Sequence, residues 1–147
     1  MENNQEIICL ENLSKTFELR YHKTLRAVDA VSLSLHKGVC TAIVGESGCG
    51  KSTLARMAAL LEPVTEGAIY YKGQQIGGIK EGRPMSIRGE ALRAYRQHVQ
   101  MIFQDPYSSL NGRMTIRQLI AEPLIVNKLC KKRQENILLI HICQTYK

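Results

Sequence analysis

The sequence predicts an α/β fold in which a glycine-rich loop joins a buried strand to a helix, with antiparallel β structure at the N-terminus. The loop spans residues 45–53. An apolar run, Val39 to Val44, precedes it, and a helix-like run, Leu54 to Leu61, follows it. Alternating and glycine-punctuated segments on both sides are typical of half-buried strands and hairpins.

Length and composition are those of one globular domain. The chain has 147 residues, of which 44% are apolar and 22% are charged. That is enough to bury a core, and no segment is apolar for long enough to cross a bilayer. The expected location is therefore the cytoplasm. The formal charge is +7, but the basic residues are spread along the chain and form a run only at Lys131–Arg133. Nucleic acid is not an expected partner.

The cysteines predict neither a disulfide framework nor a zinc site. There are five of them, an odd number, and no C-x-x-C pair occurs. We expect reduced thiols, most of them buried. The five positions are Cys9, Cys40, Cys49, Cys130 and Cys143.

The N-terminal half predicts strands and turns. Glu6 to Leu10 and Ala30 to Leu35 alternate between apolar and polar residues, as half-buried strands do. After the helix, Ala68 to Lys72 and Gln74 to Ile76 flank Gly73, which predicts a hairpin.

The C-terminal half is less regular. The expected elements, in order, are a loop over Gly77 to Gly89, a helix over Ala91 to Gln97, a buried strand over Val99 to Phe103, and a helix capped by Thr115, running to Ala121 and interrupted by Pro123. From Leu129 onward the chain could form an amphipathic helix.

The loop predicts a phosphate-binding site. Gly45, Gly50, Lys51 and Ser52 match G-x-x-x-x-G-K-[ST], and the flanking strand and helix are the context that this motif requires. Backbone N–H groups and the helix N-terminus would cradle the phosphates of Mg·ATP or Mg·GTP, with Lys51 on the β- and γ-phosphates and the Ser52 hydroxyl on Mg²⁺. The predicted nucleotide contacts are Gly45, Glu46, Ser47, Gly48, Cys49, Gly50, Lys51, Ser52 and Thr53.

Four segments together resemble the ATP-binding subunits of ABC transporters, most closely those of the dipeptide, oligopeptide and nickel importers. They are Leu10 to Phe17, Arg26 to Leu33, the phosphate loop, and Met101 to Asn111 with its sequence Phe-Gln-Asp-Pro-Tyr. The resemblance covers roughly the first 125 residues. It implies a P-loop nucleotide hydrolase core with an N-terminal antiparallel β subdomain, and ATP with Mg²⁺ as the ligands.

The resemblance also implies roles for single residues. Phe17 matches the aromatic residue that stacks on adenine; without the family it would be a core aromatic on an edge strand. Gln104 matches the glutamine that reaches Mg²⁺ and the attacking water. Cys49, inside the loop, is interpreted as a small residue tolerated there, the alternative being a reactive thiol that ATP protects.

Two protein partners are implied. The region around Gln104 to Asn111, including Tyr107, matches the surface that meets the permease, so contact with the membrane is expected only through the permease, at its inner face. A second ATP-binding subunit, identical or different, is expected to close over two ATP molecules.

Parts of the family pattern are absent. A hydrolase of this class needs an apolar strand ending in Asp, followed by Glu, and the two aspartates of the sequence, Asp29 and Asp105, stand in no such context. The Ser-Gly-Gly-Gln signature is also missing. We therefore expect residues 1–147 to be an incomplete, truncated ATPase domain.

Three functions follow as hypotheses. The first is an energy-coupling ATPase subunit of a peptide or nickel importer. The second is a nucleotide-binding or interaction fragment without hydrolysis. The third, another phosphate-loop enzyme such as a small kinase, would need a lid and an acceptor site that the sequence does not show.

Overall fold

The computed structural model describes residues 5–105 and 110–127. The chain divides into two compact units, Met1–Val99 and Gln100–Lys147. The described elements of the first unit are β1 (Glu6–Glu18), a 3₁₀ turn (Arg20–His22), β2 (Thr24–His36), α1 (Lys51–Ala58), β3 (Glu66–Tyr71), β4 (Gln74–Lys80), β5 (Arg83–Ser86) and α2 (Gly89–His98). In the second unit, α3 (Ile116–Val126) is described.

The first unit is built on an antiparallel sheet with the strand order β2-β1-β3-β4-β5. β1 and β2 form a long hairpin whose pairing runs from Glu6 with His36 to Glu18 with Thr24. Both predicted N-terminal strands are confirmed, and both extend further than their alternation indicated. The N-terminal antiparallel β subdomain is therefore present.

Two tight turns connect β3, β4 and β5. At Lys72 and Gly73 the φ angles are 50° and 77°, the pair of positive values that a type I′ hairpin turn requires, so the predicted hairpin is confirmed. Glu81 and Gly82, with φ of 52° and 75°, make the same turn between β4 and β5. The predicted loop over Gly77 to Gly89 is wrong, because Glu81-Gly82 is a hairpin turn inside that stretch.

One hydrophobic core lies between the sheet and its helices. Leu10, Leu13 and Ile69 of the sheet and Met57 of α1 are at most 1% exposed. α2 confirms the helix predicted at Ala91 to Gln97, and its Tyr95, 2% exposed, packs edge-on against Tyr71 with ring centroids 5.2 Å apart. The Tyr95 hydroxyl donates to the Ala58 carbonyl at the end of α1.

The strand predicted at Val39 to Val44 is not formed. These residues have no regular secondary structure, and Val39, Ile43 and Val44 are 56%, 43% and 88% exposed. A strand exists only when its N–H and C=O groups pair with a neighbour, and within the described ranges the five-stranded sheet contains no strand beside this segment. The strand predicted at Val99 to Phe103 is absent for the same reason.

The second unit is described over residues 100–105 and 110–127. Thr115 caps α3 as predicted: its hydroxyl accepts from the Gln118 N–H while the Gln118 side chain accepts from the Thr115 N–H. The expected interruption at Pro123 is wrong, since α3 continues to Val126. The Asn127 N–H and side-chain amide both donate to the Pro123 carbonyl, which holds this last turn.

Among the predicted features, Tyr107 and the helix from Leu129 onward fall on residues outside the described ranges. Among the helices of the described ranges, none combines the length and the hydropathy needed to cross a membrane.

We predict that Tyr95 makes stability depend on alkaline pH. Burial, and secondarily Tyr71, raise the pKa of Tyr95 from 10.0 to about 12, because the buried site favours the neutral phenol. The contribution of the buried Tyr95 phenol to the free energy of unfolding is therefore complete below pH 10 and is lost as pH rises toward 12. Tyr95→Phe should lower the free energy of unfolding by about 1 kcal/mol at pH 9, and this difference from wild type should shrink by pH 12.

Urea unfolding at intervals from pH 9 to pH 12 measures this difference. Tyr21→Phe is the control, since Tyr21 is 91% exposed, and it should match wild type throughout. A Tyr95→Phe difference that stays constant with pH would contradict the prediction.

Candidate functional site

The phosphate loop is attached to the sheet at its last glycine. Gly50 precedes α1 with φ of 96°, and a Cβ atom at this position would lie 2.1 Å from the Ala27 carbonyl oxygen of β2. Only glycine combines this backbone angle with so close an approach. One helical turn further on, Leu54 and Met57 bury their side chains in the core. The N-terminus of α1 is thereby held at the end of the loop.

The loop itself is open to solvent. Residues 45–49 are exposed, and Gly50 is half-buried where it meets β2. The Cys49 N–H donates to the Glu46 carbonyl at 3.4 Å, which makes a turn, and the Leu54 N–H donates to the Gly50 carbonyl at 2.9 Å, which begins the helix. An anion in solution can therefore reach the loop.

Lys51 folds back into the loop. Its Nζ atom donates to the carbonyl oxygens of Gly45 at 2.7 Å and Glu46 at 2.5 Å, and lies 3.4 Å from the Cys49 Sγ atom. A Cβ atom on Gly45 would lie 2.7 Å from that sulfur, so residues 45 and 49 of the loop approach each other closely. The one positive charge contributed by the loop thus lies inside it, where it can attract a phosphate.

Ser52 and Thr53 occupy the first turn of α1. Ser52 is exposed and Thr53 is half-buried. In the described part of the chain, no group of three or more His, Cys, Asp or Glu residues could hold a metal ion. A hydroxyl at this place still suits Mg²⁺, because Mg²⁺ keeps most of its waters and is usually bound by one or two protein oxygens together with substrate phosphates.

Phe17 lies near the end of β1, half-buried and paired with Leu25 of β2. β1 lies between β2 and β3, but its pairing with β3 ends at Ser14, so at Phe17 the strand pairs with β2 alone, as an edge strand does. The Lys15 Nζ atom lies 4.8 Å from the centroid of the Phe17 ring. Lys15 was not predicted as a functional residue. The one feature of the sequence that points to it is its position two residues before Phe17, which places both side chains on the same face of a strand.

Gln104 belongs to the second unit, where it is exposed in the segment before residue 105. Asn111, at the other end of the predicted permease surface, is also exposed, and its side-chain oxygen accepts from the Arg113 N–H at 3.1 Å. The structure places residues 45–53 in one exposed loop and the first turn of α1. The nucleotide-binding roles of these residues, of Phe17 and of Gln104 remain predictions.

The cysteines are less buried than expected. Cys9 is half-buried, and Cys40 and Cys49 are exposed. Cys40 lies in the unpaired segment before the loop and Cys49 in the loop itself, so the missing strand partner accounts for the exposure of Cys40. Cys130 and Cys143 lie outside the described ranges.

Known proteins resemble the chain over most of its length. The family model described as ABC transporter matches residues 28–144. The oligopeptide transport ATP-binding protein AppF of Bacillus subtilis is 41% identical over 141 residues, which cover 91% of this chain and 40% of AppF. The oligopeptide transport ATP-binding protein OppF of Escherichia coli is 47% identical over 113 residues, or 77% of this chain and 31% of OppF.

A third relative and a solved structure are also similar to this chain. The dipeptide transport ATP-binding protein DppF of Escherichia coli is 35% identical over 143 residues, which cover 90% of this chain and 40% of DppF. The chain thus spans two fifths or less of the length of these three relatives. A solved ATP-binding cassette of an ABC transporter in its ADP conformation is 31% identical, with a TM-score of 0.48, over 61% of this chain and 30% of that one.

We predict that Gly50→Ala destabilises the protein more than Gly38→Ala does. Gly38 also has a positive φ, 74°, but a Cβ atom there meets nothing within 4 Å. Its replacement by alanine should therefore lower the free energy of unfolding only by the cost of a left-handed backbone angle, about 1 kcal/mol. Gly50→Ala adds the clash with the Ala27 carbonyl, for a further loss of about 1–3 kcal/mol.

Urea unfolding of the two variants beside wild type measures the difference in free energy. Equal losses in the two variants would show that the contact between Gly50 and β2 is not a structural constraint.

Proposed function

Because the chain belongs to the ABC transporter family, we propose that it binds Mg·ATP through residues 45–53 and serves as the energy-coupling part of a peptide importer. The observation that carries the proposal is the closed loop with the Lys51 ammonium group inside it, at the N-terminus of a helix anchored by Gly50. These are the features that bind the phosphates of a nucleotide.

Each loop residue has a defined task in this proposal. The phosphates would replace the carbonyl oxygens of Gly45 and Glu46 as partners of the Lys51 ammonium, and this exchange puts charged acceptors in the place of neutral ones. Backbone N–H groups of the loop and the first turn of α1 donate to the phosphate oxygens. The Ser52 hydroxyl would be the loop's ligand to Mg²⁺, which neutralises phosphate charge when it is bound.

Phe17 and Gln104 extend the proposed site beyond the loop. Phe17 offers a partly exposed aromatic ring on which adenine would stack. The resemblance gives the Gln104 amide the task of reaching Mg²⁺ and the attacking water, and the proposal keeps that task.

Peptides are the favoured cargo. The three relatives described above are named as oligopeptide or dipeptide transport proteins, and this supports peptides over nickel. The partners in this proposal are a permease, bound through the region from Gln104 to Asn111 at the cytoplasmic face of the membrane, and a second ATP-binding subunit. Ile102 and Leu110, 93% and 53% exposed, supply apolar surface near Gln104 that suits a protein partner.

A nucleotide-binding fragment without hydrolysis is the second candidate. Of the two aspartates, Asp29 is exposed and its carboxylate forms an ion pair with Arg26 at 2.8 Å. This carboxylate is therefore already engaged and is a poor candidate for holding Mg²⁺. Val39, Ile43 and Val44 are exposed beside the loop, and such an apolar segment favours association with a further strand. Binding and turnover therefore need separate measurements.

We predict that Lys51→Ala weakens the binding of Mg·ATP about tenfold or more, because a charged hydrogen-bond donor to the phosphates is lost. Isothermal titration of the full 147-residue chain measures the dissociation constant. Lys80→Ala is the matched control, since it removes an exposed lysine of β4 and should bind as wild type does. Equal affinity of wild type and Lys51→Ala would contradict binding at the loop.

A steady-state ATPase assay on the same proteins distinguishes the two candidates. Binding without turnover supports the fragment. Sustained turnover that Lys51→Ala abolishes supports a competent ATPase and contradicts the fragment.

A further inference from the structure

Lys15 is a buried charge beside the proposed adenine site. It lies on β1, and its side chain is only 9% exposed. Its Nζ atom pairs with a Glu62 carboxylate oxygen at 2.6 Å, donates to the Pro63 carbonyl at 2.9 Å, and lies 4.8 Å from the centroid of the Phe17 ring. These contacts account for an ammonium group that would otherwise be costly to bury.

The contacts of Lys15 connect two parts of the proposed site. Glu62 and Pro63 belong to the short segment that follows α1, whose first turn carries Lys51 and Ser52. Lys15 therefore ties β1, at the base end, to the segment that leaves the phosphate-binding helix. A strand and a helix joined in this way keep a fixed separation between the aromatic ring and the phosphate loop.

The cation also acts on the Phe17 ring directly. An ammonium within about 6 Å of a ring centroid is attracted to the electron-rich face, and the attraction is larger where the cation is desolvated. Phe17 is half-buried near the end of its strand. A cation held against one face favours ring orientations that keep this contact, and the base would stack on the opposite face.

We propose that Lys15 is a positioning residue for nucleotide binding: held by Glu62 and Pro63, it orients Phe17 so that its ring stacks on the base of the nucleotide. The inference rests on the proposed function, because it concerns the base half of the same site. Its consequence is specific: Lys15 contributes to the affinity for ATP, which has a base, and not to the affinity for Mg·tripolyphosphate, which has none.

The same sheet contains a matched pair for comparison. Lys72 lies over the Tyr71 ring, with its Nζ atom 5.1 Å from the centroid, a distance close to that between Lys15 and Phe17. Lys72 is exposed, however, and its contact lies at the opposite end of β1, where Tyr71 pairs with Ile8. Lys72→Met removes a cation from a ring without touching the proposed site.

The test measures dissociation constants for Mg·ATP and for Mg·tripolyphosphate by titration of the full 147-residue chain. Lys15→Met should weaken the binding of Mg·ATP about five- to tenfold and leave Mg·tripolyphosphate within about twofold of wild type. Lys72→Met should leave both constants unchanged. In a Phe17→Ala background, Lys15→Met should have no further effect on ATP, because the two residues act as a unit.

Glu62→Gln provides a second route to the same answer. It removes the ion pair but keeps the lysine and the ring, so it should lower the preference for ATP over tripolyphosphate by a smaller factor. This variant decides the matter if Lys15→Met does not fold.

Three results would overturn the inference. The first is an unchanged ATP affinity in Lys15→Met, or in Glu62→Gln where only that variant folds. The second is an equal loss for ATP and tripolyphosphate, which is what a merely structural role produces. The third is failure of the wild-type protein to bind either ligand, which would overturn the proposed function as well. If the wild-type protein binds and the variants keep the same preference for ATP over tripolyphosphate, only the role of Lys15 is overturned.

Discussion

The close approach between Gly50 and the Ala27 carbonyl is the contact on which the site depends. A Cβ atom at Gly50 would lie 2.1 Å from that oxygen, so the last residue of the loop lies directly against β2. The same residue has the left-handed backbone angle from which α1 begins. One glycine therefore sets both the position and the direction of the helix whose first turn carries Lys51 and Ser52, while Leu54 and Met57 hold the helix by burial.

The loop anchored in this way is stabilised by its own lysine. The Lys51 ammonium donates to two loop carbonyls, which partly compensate its charge. In the proposed site, phosphate oxygens would replace these carbonyls as partners of Lys51, because charged acceptors form stronger hydrogen bonds with an ammonium group than neutral ones do.

The sequence predicted local structure well and pairing poorly. β1, β2, the Lys72-Gly73 turn and α2 follow from alternation, from a dipeptide that adopts positive φ, and from helical spacing, all of which act over a few residues. Val39 to Val44 has the composition of a buried strand, but a strand also needs a neighbour, and composition does not say whether one is present. The β4–β5 hairpin is not predicted by the sequence, because its turn, Glu81-Gly82, lies in a stretch rich in glycine and charge that is typical of a loop.

The candidate site combines a local motif with long-range contacts. The role of residues 45–53 in binding nucleotide stays a prediction from the spacing of that motif. The contacts of Lys15 with Glu62 and Pro63 join residues 47 and 48 positions apart, and such contacts arise only when the helix packs on the sheet. No local pattern encodes them.

Hydrogen exchange of the full chain, with and without Mg·ATP, tests most directly whether residues 45–53 bind nucleotide. The account predicts slower exchange of the backbone amides from Gly48 to Thr53 when Mg·ATP is added, with no change at the Lys72-Gly73 and Glu81-Gly82 turns. Unchanged exchange in the loop at saturating Mg·ATP, or an equal slowing at the loop and at both turns, would contradict it.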